Sequence, residues 1–311
     1  MQLWPHQLHA IETARILHQR TQSRLLGQFP CGTGKSKIAV RVALAYVQRR
    51  AFARALVVAP NAQVMAQLYT QLRAATRLPV AIEQGARHAP ASALIVVGTV
   101  QSIWQRLPKY ARETLLIFDE CHHGNLDAQE NLKLAERFDH VVGLDATPWS
   151  RGCEQLFASS ARVVLPLEVA QRQQLVAPLA LHPWCEPRGP LGLVFCSSNR
   201  EAAERAAKHP GASWVGVDSG EVAERIAAWR ARRISVLYAN RMMTEGVDAP
   251  ECGAVWIAKD TESAILRVQM VGRAMRYRPG KVAAAYCASP EVAEGIREAL
   301  ARCNEPRFTT V

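Results

Sequence analysis

A strand, a short glycine-containing loop and a helix follow one another near the start of the chain. The pattern predicts a strand at Arg24–Gln28 and a helix at Lys37–Val47, with Phe29-Pro-Cys-Gly-Thr-Gly-Lys-Ser36 between them. Such a junction suits a triphosphate, because backbone N–H groups and the helix dipole attract the anion. Lys35 is expected to reach the β- and γ-phosphates, and the Ser36 hydroxyl is expected to ligate Mg²⁺. The predicted ATP-binding residues of this loop are Pro30, Cys31, Gly32, Thr33, Gly34, Lys35 and Ser36.

An acidic pair at the end of a second apolar strand provides the other half of a nucleotide site. In Leu115–His123, Asp119 is predicted to bind Mg²⁺ and Glu120 to position or deprotonate the attacking water. A solvated acidic turn is the plainer alternative. Zinc at Cys121–His123 is disfavoured, because three consecutive ligands point in different directions. Phe29 departs from the loop pattern, which normally begins with Gly or Ala, and could reshape the turn.

Short apolar strands alternate with helical stretches along the rest of the 311 residues, which is typical of parallel α/β sheets. A chain of this length favours two domains. The alternation is interrupted at Leu165–Pro190. Four prolines from Pro178 to Pro190 exclude a long helix at the end of this region. We predict a first domain at residues 1–165, a connection at 166–190 and a second domain at 191–311. The expected strands are Arg54–Ala59, Ala93–Val97, Thr114–Phe118, His140–Leu144, Leu193–Cys196, Trp214–Val217, Ser235–Ala239 and Ala254–Ile257.

Composition narrows the classes of protein and partner. Apolar residues make up 49% of the chain and charged residues 21%, which excludes a disordered chain. The net charge of +11 favours polyanionic partners. Eight scattered cysteines without a CxxC pair indicate free thiols. No apolar run is long enough to cross a membrane, and a cytoplasmic protein is expected.

Five segments together resemble the superfamily-two DEXH helicases, in particular compact phage types and relatives of the excision-repair translocases. They are PCGTGKS, DECHH, GLDATPW, NRMMTEGVDAPE and QMVGRAMR. The resemblance runs from Leu3 to nearly Ala285. It implies an α/β fold of two RecA-like parallel-sheet domains in tandem, with ATP and Mg²⁺ in the cleft between them.

The resemblance assigns roles in the first domain. Gln7 is expected to read the adenine edge, with Trp4 either stacking on the base or anchoring the first helix. Asn61, Thr99 and Gln101 are expected to hold a nucleic-acid backbone, although Asn61 or Thr99 is equally suited to capping a helix. Coupling of hydrolysis to movement is assigned to His123, Asp145 and Thr147. Asp145 replaces the usual Ser or Thr, so an ion pair with His123 is expected.

In the second domain the resemblance places Ser197 and Thr244 on nucleic acid, and Gly246 and Asp248 against the nucleotide. Gln269 is assigned to coupling. Arg273 and Arg276 are expected to share a helical face with Gln269 and to act as catalytic arginine fingers with Lys35 and Glu120. A solvated basic face is the alternative.

The function implied is an ATP-dependent helicase or translocase on nucleic acid, with single-stranded or forked DNA favoured over RNA. The alternatives are an RNA-dependent ATPase, a nucleic-acid-binding scaffold with weakened chemistry, and the motor of a restriction system acting through partners. The sequence contains no obvious strand-splitting insertion. We therefore expect poor unwinding of long duplexes, with a protein partner supplying strand separation or targeting.

Overall fold

The computed structural model describes residues 3–49, 54–187, 191–216, 219–240, 243, 251–259 and 261–305. The chain divides into two compact units. Within the described residues, one unit comprises 3–29 and 34–165, and the other comprises 166–305 together with the loop residues Pro30–Thr33.

The first unit is built on a seven-stranded sheet with the order β3-β4-β2-β5-β6-β1-β7, in which all neighbouring strands are parallel. Its strands are β1 (Ser23–Gln28), β2 (Ala55–Ala59), β3 (Val80–Glu83), β4 (Ile95–Thr99), β5 (Leu115–Asp119), β6 (His140–Asp145) and β7 (Ala161–Val164). The central strands read as continuous apolar runs because both faces of a parallel sheet are buried. Because the strands are parallel, their carboxyl ends meet at one edge of the sheet, where ligands of open α/β sheets bind.

Helices connect these strands and cover the sheet. They are α1 (Pro5–Leu17), α2 (Lys35–Arg49), α3 (Ala62–Ala75), α4 (Val100–Trp104), α5 (Gln129–Glu136) and α6 (Arg151–Leu156). Both α2 and α3 bury an apolar face, and Ile38 and Leu68 are fully buried. A short 3-10 turn at Cys121–His123 follows β5.

The second unit carries a six-stranded sheet with the order β10-β11-β9-β12-β13-β8, again parallel throughout. Its strands are β8 (Leu179–Pro183), β9 (Gly192–Phe195), β10 (Ser213–Val215), β11 (Val236–Ala239), β12 (Ala254–Ile257) and β13 (Ala283–Cys287). Its helices are α7 (Leu167–Arg172), α8 (Asn199–Lys208), α9 (Val222–Arg230), α10 (Ala264–Gly272) and α11 (Pro290–Ala301). Two tandem parallel-sheet units of RecA-like type are thus present, as expected.

The segment predicted as a connection has more structure than a linker. Residues 166–187 contain α7 and the strand β8, which pairs with β13 from Ala283↔Leu179 to Cys287↔Pro183. Prolines exclude a long helix, but an edge strand tolerates them because one side of its backbone has no partner. The sequence interpretation also missed three other short strands, β3, β7 and β13.

All eight cysteines lie within the described residues and none forms a disulfide; six of them are buried. Among the described residues, none of the helices combines the length and the apolar character needed to cross a lipid bilayer.

Candidate nucleotide site

The phosphate-loop backbone adopts a conformation that depends on its glycines. Gly32 and Gly34 have φ values of +87° and +83°, a left-handed region that favours glycine. Thr33 closes the turn by donating its N–H and its hydroxyl to the Pro30 carbonyl, at 3.3 and 2.7 Å. The helix α2 starts at Lys35, so its first N–H groups open toward the loop.

Phe29 is accommodated beside the loop without blocking it. Its ring is fully buried and lies over Gly27, where a Cβ would come within 2.5 Å of the Phe29 ring. The Phe29 N–H donates to the Asp145 carbonyl at 2.7 Å, which ties the loop start to the end of β6. The aromatic residue at the first loop position therefore extends the core.

Gln7 lies against the loop at Gly34 and is 1% exposed. Its side-chain oxygen accepts the N–H of Trp4 at 3.0 Å, which caps the start of α1. Trp4 is half-buried, and the Lys37 ammonium lies 5.7 Å from its ring centroid. The structure thus shows Trp4 at the helix start, as its anchoring interpretation expects, while adenine reading by Gln7 stays a prediction.

Two cross-contacts join the phosphate loop to the acidic strand end. The Lys35 Nζ lies 3.1 Å from Glu120 Oε1 and donates to the Phe29 carbonyl at 3.4 Å. The Ser36 hydroxyl donates to Asp119 Oδ2 at 2.8 Å. The four predicted side chains therefore converge within the first unit, at the carboxyl edge of neighbouring strands β1, β6 and β5.

This edge is electrostatically suited to a divalent cation. Burial, followed by the neighbouring Glu120 carboxylate, raises the pKa of Asp119 to about 6, against the opposing effects of Ser36 and Lys35. A nearby cation would favour the charged form of Asp119. The Ser36 hydroxyl and Asp119 carboxylate lie close enough to bind the same Mg²⁺, and oxygen ligands are those Mg²⁺ prefers.

Glu120 has a left-handed backbone, with φ of 58° and ψ of 67°. This region is uncommon for a residue with a side chain and costs on the order of 1 kcal/mol or more. The conformation turns the chain from β5 into the 3-10 turn. It leaves the Glu120 side chain 23% exposed while Asp119 stays buried, so one carboxylate is accessible to water.

The partner of Asp145 is His122, which corrects the prediction of a pair with His123. His122 Nδ1 lies 2.8 Å from both Asp145 oxygens, and the His122 backbone N–H donates to Oδ2 at 2.7 Å. Thr147 donates its N–H to Oδ1 at 2.7 Å. The 3-10 turn directs consecutive side chains differently, and it places His122 against Asp145. The sequence did contain a signal for His122, because it is the fourth residue of the Asp-Glu-x-His pattern that starts at Asp119.

The Asp145–His122 pair is buried, with side-chain exposures of 0% and 3%. Burial alone would raise the pKa of Asp145, but His122 and the two backbone N–H groups hold it well below its ordinary value. Asp145 is therefore a charged acceptor of four short contacts, and these contacts link the 3-10 turn after β5 to β6.

The residues predicted to bind nucleic acid in the first unit lie along the same sheet edge. Asn61 caps α3, its side chain accepting from Gln63 and Val64 N–H at 3.0 Å each. Thr99 precedes α4 and donates its hydroxyl to Ser102 at 3.1 Å. Gln101 is exposed. Asn61 therefore has the capping role that the sequence left open.

Ser197 follows β9 and lies at the start of α8 in the second unit. Its N–H donates to the Glu201 carboxylate at 2.8 Å, and its hydroxyl donates to the same oxygen. Both donors of Ser197 are thus engaged by a carboxylate of the chain itself, and its contact with nucleic acid stays a prediction.

The predicted arginine-finger segment is helical only at its start. Gln269 is 3% exposed and lies in α10, which ends at Gly272 with Arg273 as its cap. Arg276 lies beyond the helix, where its backbone pairs with Val176. The shared helical face predicted for the three residues is therefore wrong at Arg276, because the helix stops one turn earlier. Thr244, Gly246 and Asp248 lie outside the described residues.

Comparison with protein families gives one match. Residues 1–150 match the family model of the type III restriction enzyme, res subunit. None of the curated proteins matches the sequence.

Solved structures align with nearly the whole chain. S. cerevisiae Dbp5 bound to RNA and ADP BeF3 aligns with a TM-score of 0.68 at 15% identity, covering 99% of this chain and 93% of that one. A fragment of a putative HsdR subunit of a type I restriction enzyme from Vibrio vulnificus YJ016 gives 0.73 at 20% identity. The fold of this chain is of the superfamily-two helicase type. The alignment covers 97% of this chain and 66% of the HsdR fragment.

A third structure similar in fold is the ATP-dependent Type ISP restriction-modification enzyme LlaBIII bound to DNA. It aligns with a TM-score of 0.70 at 14% identity over 98% of this chain. The chain spans 30% of that protein. The superfamily-two helicase fold found here thus also occurs within much longer restriction enzymes.

Proposed function

We propose that the chain is an ATP-dependent translocase or helicase that couples ATP hydrolysis to movement along nucleic acid, with DNA as the favoured track. The observation that carries the proposal is the convergence of Lys35, Ser36, Asp119 and Glu120 at one sheet edge. The type III restriction family match over residues 1–150 and the fold likeness to a DNA-bound restriction enzyme support DNA.

In the proposed mechanism, Lys35 leaves Glu120 to contact the β- and γ-phosphates when ATP binds. Glu120 is then released to orient the attacking water and accept its proton, while Ser36 and Asp119 are the residues that would hold Mg²⁺. Bound Mg²⁺ supplies neutralisation of the charge on the β- and γ-phosphate oxygens. In this mechanism, Lys35 and Glu120 pair with each other at 3.1 Å before ATP binds.

The second unit would complete the reaction through Arg273 and Arg276. A guanidinium stays charged and matches phosphate geometry, so it stabilises charge that develops on the γ-phosphate. We further propose that the Asp145–His122 pair transmits a change at Asp119 and Glu120, which lie at the end of β5, to β6. Movement would then follow from alternating closure of the two units around ATP.

The test is ATP turnover by the purified chain with single-stranded DNA, duplex DNA, forked DNA and RNA at equal nucleotide concentration. Strong stimulation by DNA is the expected result, and Lys35→Ala serves as the inactive control. Stimulation by RNA alone would replace DNA by RNA as the track. Absence of turnover with every nucleic acid would leave a binding scaffold and refute the motor.

A further inference from the structure

A lysine in the second unit binds the main chain of Arg276 to the sheet. Lys281 is half-buried and lies just before β13. Its ammonium group donates to the Cys252 carbonyl at 2.6 Å and to the Arg276 carbonyl at 2.9 Å. Cys252 is fully buried and lies just before β12, which pairs with β13. One side chain therefore joins Arg276 to the amino ends of two neighbouring strands.

The main chain at Arg276 depends on such contacts because α10 ends four residues before it. Carbonyl groups at the end of a helix and beyond it have no partner within the helix. The segment before β8 supplies one set of contacts, in which the Ala177 N–H donates to the Met275 carbonyl at 2.7 Å and Val176 pairs with Arg276. Lys281 supplies the other set. Its hydrogen bonds are charge-assisted, and such bonds are about twice as strong as neutral ones.

The side-chain stem of Arg276 lies beside the phosphate loop. A Cβ on Gly32 would lie 3.4 Å from the Arg276 Cγ and 3.9 Å from its Cα. The loop residues Pro30–Thr33 belong to the same compact unit as Arg276. Because the guanidinium is attached to this stem, the position of the main chain determines which phosphate oxygens it can reach. A displacement of about 1 Å at a reacting centre can lower the rate about 10²-fold.

We propose that Lys281 is a positioning residue for Arg276, which it holds beside the phosphate loop through the Arg276 main-chain carbonyl. Lys281 contacts no phosphate in this role and acts through the backbone. The Cys252 carbonyl fixes the ammonium group at the buried edge of the sheet. The inference rests on the proposed motor, in which Arg276 stabilises charge that develops on the γ-phosphate.

The surroundings of Lys281 make its charge sensitive to alkaline pH. Burial lowers the pKa of Lys281 to about 8. The Cys252 thiol and Glu251 favour the charged ammonium, whereas the cations Arg278 and Arg276 disfavour it. Burial raises the pKa of Cys252 to about 11, so this thiol stays neutral near pH 8. The charge on Lys281 is therefore expected to be lost as the pH rises through about 8.

Lys281→Met is the direct test, with Arg278→Ala as its control. Met has a side chain of similar length without a donor, whereas Arg278 is exposed and pairs with Glu251. ATP turnover is measured with the nucleic acid that stimulates the unmodified chain most. We expect Lys281→Met to lower kcat about 10²-fold with little change in KM, because Arg276 acts on the transition state. Arg278→Ala should leave both constants unchanged.

The double variant distinguishes positioning from a general loss of stability. Arg276→Ala alone should lower turnover by about 10³-fold or more. If Lys281 acts by placing the Arg276 guanidinium, Lys281→Met changes kcat by less than about twofold in the Arg276→Ala background. Equal losses in the two backgrounds would show that Lys281 only stabilises the fold, and the positioning role would be wrong. Each variant is assayed at a temperature at which circular dichroism shows it to be folded.

The pH profile of turnover tests the ammonium group itself. The kcat of the unmodified chain should decline as the pH rises through about 8, because a neutral amine binds the two carbonyls less strongly. Lys281→Arg keeps a charged donor, so it should recover most of the turnover lost in Lys281→Met and should lack this decline. A decline at the same pH in Lys281→Arg would assign it to another group and contradict the role of the ammonium.

The outcomes separate this proposal from the proposed function. If Arg276→Ala slows turnover and Lys281→Met keeps the rate of Arg278→Ala, the positioning role is wrong although the motor stands. If Arg276→Ala slows turnover only severalfold, Arg276 is not a finger and Lys281 has nothing to position, and the motor again stands. If the unmodified chain hydrolyses no ATP with any nucleic acid, the proposed function fails and the positioning role fails with it.

Discussion

Replacement of Asp145 by Asn tests whether the fold depends on an ion pair between Asp145, at the end of β6, and His122, in the 3-10 turn after β5. Asn has nearly the same shape, so the substitution changes charge and hydrogen bonding with little change in packing. The Asn oxygen can still accept from Thr147. Its amide group would face the His122 N–H, which now donates to Asp145 Oδ2 at 2.7 Å.

The expected loss follows from the contacts of the buried carboxylate. A hydrogen bond to a charged group contributes about 1.5 to 3 kcal/mol, and a buried N–H left without an acceptor costs about 1 to 3 kcal/mol. We expect Asp145→Asn to lower the free energy of unfolding by about 3 to 5 kcal/mol, in the range found when one partner of a buried ion pair is removed.

The assay is urea unfolding at pH 7, followed by circular dichroism. Asp139→Asn is the matched control, because Asp139 precedes β6 and its pair with Arg112, 3.5 Å away, is largely exposed on the arginine side. That variant should lose less than about 1 kcal/mol. Equal losses in the two variants, or a loss below about 1 kcal/mol for Asp145→Asn, would refute the reasoning.

The contribution of Asp145 to the free energy of unfolding should change with pH in one direction. The pKa of Asp145 is depressed in the folded chain, so its contribution is complete above the unfolded value of about 3.9 and declines as the pH falls. The difference between the unmodified chain and Asp145→Asn should therefore narrow below pH 3.9, by about 1.4 kcal/mol per pH unit.

Four further outcomes follow from the contacts described. Lys35→Ala should abolish ATP turnover yet retain oligonucleotide binding; turnover at the normal rate would exclude Lys35 as the phosphate ligand. Glu120→Gln should bind ATP and hydrolyse it slowly, and a loss of nucleotide binding measured by filter assay would instead indicate a structural role. Arg273→Ala should reduce turnover by about 10³ or more with ATP affinity less affected; a severalfold reduction would favour the solvated-face alternative. Glu201→Gln should weaken the acceptor that engages Ser197 and tighten oligonucleotide binding, and unchanged affinity would show that these donors do not meet the backbone.

The sequence predicted the fold and the core of the nucleotide site because these depend on local patterns. Lys35, Ser36, Asp119 and Glu120 lie at strand-to-helix or strand-to-turn junctions, where spacing along the chain determines position in space. Apolar runs likewise predicted the central strands. Both kinds of signal lie within about ten residues of chain.

The remaining features depend on contacts between distant segments. The choice of His122 over His123 is made by a 3-10 turn and by Asp145, which is 23 residues away. The strand β8 is short and contains a proline, and its pairing with β13 spans more than 100 residues.

Gly27 and Phe29, on either side of Gln28, compete for the same space. The Phe29 ring fills the space that a side chain at position 27 would need, and a Cβ on Gly27 would also lie 2.9 Å from Leu144. Truncation of Phe29 to Ala would leave a cavity and cost about 3 to 5 kcal/mol, part of which Ala at position 27 could restore by refilling the space. Ala at position 27 while Phe29 is present would clash. An evolutionary path between this loop and one that begins with a small residue therefore has a preferred order, in which position 29 changes before position 27.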